Sequence, residues 1–256
     1  MIRTLTTASL VALAAFGSPG HAHAQVPAQD PRPERWALDV DLAFSGATGN
    51  DQTVLLTSGF KIAHLRTDLY ELEWTGSVRY GRSEGKEVAR NQRSGLKFDL
   101  YPQARWSPFL FSTAERDPFR RIDLRAGGGM GVKYTFWRNE KGTLSLSVAG
   151  LYSYEDYMPG DAGAIEPAHH ARWSWRLKGD RRIGELIRVE NTTFYQPVWD
   201  RSSDYLLSTF TSIGVPMSER IALTLTHTFE RDSQPVEGVH KNDQLFKAGI
   251  TIRTRW

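Results

Sequence analysis

Cysteine is missing from all 256 residues, so at this size no disulfide holds the chain, and attachment of a lipid through a cysteine is excluded as well. Charge of one sign is scarce too. The 32 Lys and Arg against 29 Asp and Glu leave a net +3 and an isoelectric point near 9.1, too mild a bias to argue for a nucleic-acid partner. Mean hydropathy is -0.44, and beyond the N-terminal region no apolar run approaches the roughly 20 residues of a spanning helix. Helical membrane spans are therefore excluded, and helical periodicity is absent elsewhere. A transmembrane β-barrel survives these exclusions, because half of each strand faces a polar lumen and dilutes the hydropathy.

What is present begins with MIRTLTTASLVALAAFGSPGHAHAQ: Arg3, an apolar run from about Ala8 to Phe16, a Ser-Pro-Gly break, then Ala22-His23-Ala24. This is the layout of a secretory signal peptide, expected at 1–24 and cut after Ala24. The run is too short to anchor the chain in a membrane, and His21 and His23 leave with the leader rather than binding metal. A Pro-rich lead at 25–34 would follow, then one domain over 35–256.

That domain repeats a period of two. WALDVDLAF sets Trp36, Leu38, Val40, Leu42 and Phe44 against Asp39, Asp41 and Ala43, and LYELEWTGSVRY sets Tyr70, Leu72, Trp74, Val78 and Tyr80 against Glu71, Glu73, Thr75, Ser77 and Arg79. GLKFDLY, ARWSWRLK, IALTLTHTF and the final FKAGITIRTRW follow the same rule. Twelve such segments are expected, starting near Trp36, Thr53, Tyr70, Asn91, Ser107, Ile122, Thr143, His170, Glu185, Tyr205, Ile221 and Gln244. Each supplies the roughly 9–11 residues of a tilted membrane strand. Longer polar connections (RSEGKEVARN, EDYMPGDAGAIEPAH, QPVWDRSSD, ERDSQPVEGVHKN) alternate with tight ones (LRTD, RNEKG, GDRRIG, VPMSER). With both termini periplasmic, the longer set falls outside the cell and the tight set inside.

A soluble sheet could carry the same alternation with its apolar face turned inward. The aromatics favour the membrane: Tyr70, Trp74, Tyr80, Tyr134, Phe136, Trp173, Trp175, Phe229 and Trp256 fall toward segment ends, as interfacial girdles require. The fold expected is all-β, a transmembrane antiparallel up-and-down barrel of about twelve strands in the outer membrane of a Gram-negative cell. Its partners would be outer-membrane lipids, lipopolysaccharide and the outer-membrane assembly machinery; the oligomeric state is open. Ile250, Ile252 and Trp256, apolar at alternate positions up to the last residue, look like the C-terminal signal that this machinery reads.

FSGATGNDQT and STAERDPFRRIDLRAGGGMGVKY resemble the family called domain of unknown function 481, often labelled salt-induced outer membrane proteins. The matching residues are Gly49 and Asn50, then Glu115, Arg116, Asp117, Phe119, Leu124, Arg125, Gly129 and Gly131. The resemblance in strand spacing covers nearly the whole mature chain. It implies an outer-membrane β-barrel without an established biochemical activity.

Read as residues, Gly49-Asn50 suits a tight hairpin turn. AERDPFRRIDLR packs both signs of charge around Pro118, as a salt-bridged rim would, or as a lipopolysaccharide phosphate contact through Arg120 and Arg121 would. Gly127, Gly129 and Gly131 share the polar face, where backbone crowding, a bend in the wall and room in the lumen explain them equally.

The polar parity places Asp39, Asp41, Glu71, Glu73, Asp99, Glu190 and Glu230 in the lumen, opposed by Lys61, Arg79, Lys97, Arg125, Lys133, Arg172, Arg176, Lys178, Arg188, Lys247, Arg253 and Arg255. The first expectation is a structural or stress-related envelope barrel whose lumen is filled by ion pairs. The alternative is a narrow anion-preferring pore, with Arg172, Arg176 and Lys178 as a basic ladder on one strand. An outer-membrane hydrolase is the rival from another class. It would need His with Ser or Asp on one face, and His227 lies on the apolar parity while Ser212 lies on the polar one. His169 and His170 are adjacent and so point opposite ways, and EDYMPGDAGAIEP lacks the spacing of a calcium loop. No enzyme activity and no cofactor are expected.

Overall fold

The computed structural model describes residues 34–47, 53–159, 165–184 and 186–256. The expected signal peptide, nearly all of the lead, the Gly49-Asn50 turn, Asp161 and Glu185 lie outside the described residues. Twelve strands follow one another: β1 (Glu34–Ala47), β2 (Thr53–Arg66), β3 (Tyr70–Ser83), β4 (Lys86–Leu100), β5 (Trp106–Asp117), β6 (Ile122–Asn139), β7 (Gly142–Tyr157), β8 (Ala168–Ile183), β9 (Ile187–Pro197), β10 (Tyr205–Pro216), β11 (Ile221–Asp232) and β12 (Asn242–Arg255). Each pairs antiparallel with its neighbours in sequence, and β12 returns to β1, closing the barrel.

The two faces of this sheet are the reverse of a soluble protein's. Large apolar side chains on the outer face are exposed, Leu42 by 47 % and Met130 by 67 %, whereas Asp99 and Glu155 on the inner face are each 1 % exposed. Only a hydrocarbon surround makes that arrangement favourable, since an apolar band this extensive would not stay in water. Aromatics rim the band at both ends. Trp106 and Tyr134 pack at 4.6 Å near the short-turn end, and Trp173 stacks on Trp199 at 5.1 Å toward the long-loop end. One outer patch on β9 and β10 is polar, and its groups bond to each other: Asn191 Nδ2 donates to Thr211 Oγ1 at 2.9 Å, and Thr193 Oγ1 lies 3.3 Å from Thr209 Oγ1.

The connections mostly follow the expected alternation, with tight turns such as 140–141 at one end and longer links at 158–167, 198–204 and 233–241 at the other. RSEGKEVARN departs from it. Glu84 and Gly85 make a two-residue turn with φ of 50° and 77°, and β4 starts at Lys86 rather than near Asn91. Two successive positive φ values match the twist of a tight hairpin, so the charged stretch continues as paired strand.

Gly129 and Gly131 are explained by close approach. A Cβ at either would drive into a carbonyl oxygen of β7, that of Gly150 or of Val148. The β1–β12 join is short: its register runs from Ala37 opposite Arg255 to Leu42 opposite Ile250, while β1 pairs with β2 from Glu34 to Ala47. Backbone bonds between Trp36 and Trp256, at 2.9 and 3.2 Å, finish the join at the lip.

Candidate functional site

Alternation turns one side chain in two inward, and the lumen divides along its length by what those side chains are. Toward the long loops they are arginines and carboxylates in contact. Asn91 Nδ2 donates to Glu115 Oε1 at 3.1 Å and to Asp117 Oδ2 at 2.9 Å, and Arg93 Nη2 donates to Glu115 Oε1 at 2.7 Å. Glu155 accepts from Arg125 at 2.8 Å and from Tyr157 at 2.5 Å, and lies 3.5 Å from Arg172. Arg172 also reaches Asp204 at 3.3 Å.

Arg120 ties this network across the barrel. Pro118–Arg120 form one 3-10 turn between β5 and β6, capped by Asp117, whose Oδ1 accepts from the amides of Phe119 and Arg120. The turn folds inward, so the Arg120 guanidinium, 4 % exposed, meets Glu230 of β11 at 3.4 Å and Asp243 of β12 at 3.8 Å. Arg121, held at φ 58°, donates to the carbonyls of Glu237 and Met158 at 3.0 and 3.2 Å. Together they fasten the β5–β6 turn to the β11–β12 and β7–β8 connections and draw it over the long-loop mouth. Of the two arginines suggested for a lipopolysaccharide phosphate, Arg120 is thus committed to carboxylates inside the barrel, because the Pro118 turn bends inward rather than outward. The exposed ion pair of this motif is Arg116 with Asp123, at 2.8 Å.

Toward the short turns the lumen opens into a vestibule of about 920 Å³. Ten cationic side chains line it against six carboxylates, so its wall is net basic. Part of that charge is paired: Lys61 with Glu73, Lys97 with Asp99, Lys133 with Asp99 at 3.3 Å, and Arg188 with Asp180 at 2.7 Å. The expected basic ladder spans this division, and its three cations all line the lumen at mid-depth. Arg172 belongs to the ion-pair network, whereas Arg176 and Lys178 face the vestibule, and no carboxylate of the described residues lies within ion-pair distance of either.

Between network and vestibule lies a chamber of about 210 Å³ that shares Lys61, Glu73, Lys97, Arg176 and Lys178 with the vestibule. Its wall includes Phe109, Phe111, Leu151, Phe194 and Leu206, apolar side chains on the inward face. Sequence reasoning passed over them, although Phe109 and Phe111 share the parity of Glu115 and Asp117 on β5, and that parity was the available signal.

The residues weighed for other chemistry are dispersed. Ser212 is buried on the inner face, while His227 stacks on Phe246 of the outer face at 4.4 Å. His169 packs against Tyr152 and Tyr154. Among the described residues no three His, Asp or Glu side chains cluster as a metal site would require. Ile250 and Ile252 are exposed on the outer face of β12, and Trp256, directly after its end, is exposed as well.

A sequence-family model described as "Protein of unknown function, DUF481" matches residues 40–253. No match is found among curated proteins. Among solved structures the NanC porin is similar at a TM-score of 0.51 and 9 % identity, covering 84 % of this chain and 98 % of that one. The KdgM porin follows at 0.44 and 8 %, covering 85 % and 98 %. At such identities the likeness is one of fold.

Proposed function

The chain belongs to the DUF481 family, whose description assigns no activity, and we propose that it is an outer-membrane barrel held shut at the cell surface and open as a basic cup toward the periplasm. The observation that carries this reading is the Arg120 crossing, which fills the long-loop mouth with buried ion pairs. The longer connections at that mouth support placing it outside and the tight turns in the periplasm. On this reading the barrel serves the envelope as a structural element, and solutes enter the vestibule without passing through.

A second reading, a gated anion-preferring pore, is favoured by the excess of cations in the vestibule and by Arg176 and Lys178 in particular. Planar-bilayer recording separates the two. The wild-type protein is expected to be silent, and Arg120→Ala combined with Glu230→Gln, which removes one charge of each sign from the mouth, is expected to produce conductance steps. Frequent steps in the wild type would overturn the closed reading. If they prefer anions and lose that preference in Arg176→Glu with Lys178→Glu, the pore takes its place.

A further inference from the structure

We propose that the mid-lumen chamber is a binding site for a small aromatic carboxylate that arrives through the short-turn vestibule. This rests on the barrel and its inward face, and is independent of whether the lumen conducts.

Inward-facing positions of this barrel are mostly polar, so a cluster of Phe109, Phe111, Phe194, Leu151 and Leu206 around an open chamber stands apart from the rest of the wall. Side chains that only filled space would close the chamber; these leave about 210 Å³ beside them. The backbone prepares the recess. Gly129 of β6 lies between Phe111 and Leu151, Gly127 two positions away lines the chamber, and the tight β6–β7 approach admits no side chain at Gly129. The result is a recess in which these apolar side chains face a wall of charged and hydroxyl side chains, cations outnumbering the carboxylates Glu73, Glu115 and Glu155, and such convergence of apolar surface with polar groups is the form of a small-molecule site.

The polar wall fixes the sign of the ligand. Arg176 donates to Ser147 Oγ at 3.1 Å and holds its guanidinium 5.6 Å from the centre of the Phe109 ring. A guanidinium has five N–H donors in a planar fork that matches a carboxylate, and no protein carboxylate of the described residues occupies that fork. Lys178 stands two positions along the same strand, likewise without a carboxylate partner among the described residues. Lys97, 5.8 Å from the Phe109 ring centre, is paired with Asp99 and bounds the recess on that side. A ligand acid would sit on Arg176 while its ring rests among Phe109, Phe111 and Phe194. The chamber is smaller than the roughly 300–1,000 Å³ of drug-sized pockets, which selects a single ring with a short acidic arm over a long acyl chain or an oligosaccharide.

The test is isothermal titration of 3-phenylpropionate into the protein in nanodiscs, with empty nanodiscs as the blank. Saturable binding at one per barrel is expected, with propionate and 3-phenylpropan-1-ol failing to saturate because each lacks one half of the recognition. Arg176→Gln should weaken binding about tenfold or more, as loss of a charge-assisted pair does, and Phe111→Ser should weaken it without changing the salt dependence. Heat-modifiable gel mobility reports whether each variant is a folded barrel. Where Arg176→Gln does not fold, Lys178→Met together with Phe111→Ser carries the same expectation. Absence of saturation in the wild type overturns the proposal, as does equal binding of the alcohol or binding unchanged in the folded variants.

Discussion

Arg120 leaves the backbone between β5 and β6, yet its charge is balanced on β11 and β12. Its removal takes one of two cations from Glu230, 2 % exposed, which keeps Arg93 at 3.6 Å, and takes from Asp243 its Arg120 contact; breaking a buried pair from one side costs up to about 3–5 kcal/mol. Arg120→Ala is therefore expected to lower the urea midpoint of reversible folding into lipid vesicles by that order. Arg116→Ala, four residues earlier, removes the partner of an ion pair half in water and should change stability by about 0–1 kcal/mol. Equal effects of the two would mean that the Arg120 crossing is not buried in the membrane-embedded protein. Nothing in the string ERDPFRR distinguishes these arginines. The difference is made by the Asp117 cap and the fixed φ of Pro118, which together turn one side chain inward and leave the other on the rim.

At the scale of elements, β6 and β7 meet where glycine is demanded by geometry. Gly129→Val is expected to push against the Gly150 carbonyl and the Phe111 ring, a cost of about 1–3 kcal/mol or more from overpacking, visible as a smaller heat-modifiable fraction. Gly128→Val, on the opposite face with ordinary contacts at Phe111 and Ser112, should be milder. The strands themselves were legible in the sequence, because alternation is the direct imprint of one face in lipid and one in the lumen. Their ends were less so. Ser83-Glu84-Gly85-Lys86 has the polarity of an external loop and the conformation of a two-residue hairpin turn, and polarity alone does not separate these. The candidate chamber was illegible for another reason. A period of two tells which residues share a face but not that Phe109 and Phe194, four strands apart, line one chamber with Arg176.

For the whole molecule the inverted faces set the response to substitution. Met130, near the middle of β6 and 67 % exposed, stands in the apolar band, and Met130→Arg should destabilise the barrel by about 2–4 kcal/mol in lipid, the cost of an arginine near the midplane. A soluble sheet would tolerate arginine at so exposed a site, so an unchanged folding midpoint would contradict the membrane reading itself. Fractionation of the protein with the outer membrane is the coarser check of the same idea, and recovery in the soluble periplasm would contradict it.

The short β1–β12 join has a consequence for how such a cylinder comes to exist. Eleven of its contacts form between strands adjacent in sequence and can grow hairpin by hairpin; only this last one unites the two ends of the chain. Until it forms, β1 and β12 each present a bare edge, and backbone groups bare to hydrocarbon are costly. The register from Ala37 to Leu42 is thus a clasp, fastened at the lip by Trp36 and Trp256 and slackening toward the loops, where Ala43–Ala47 and Asn242–Gly249 pair, among the described residues, only with β2 and β11. A force that prises the wall apart sideways would begin there and travel down toward the two tryptophans, as a zip runs from its open end.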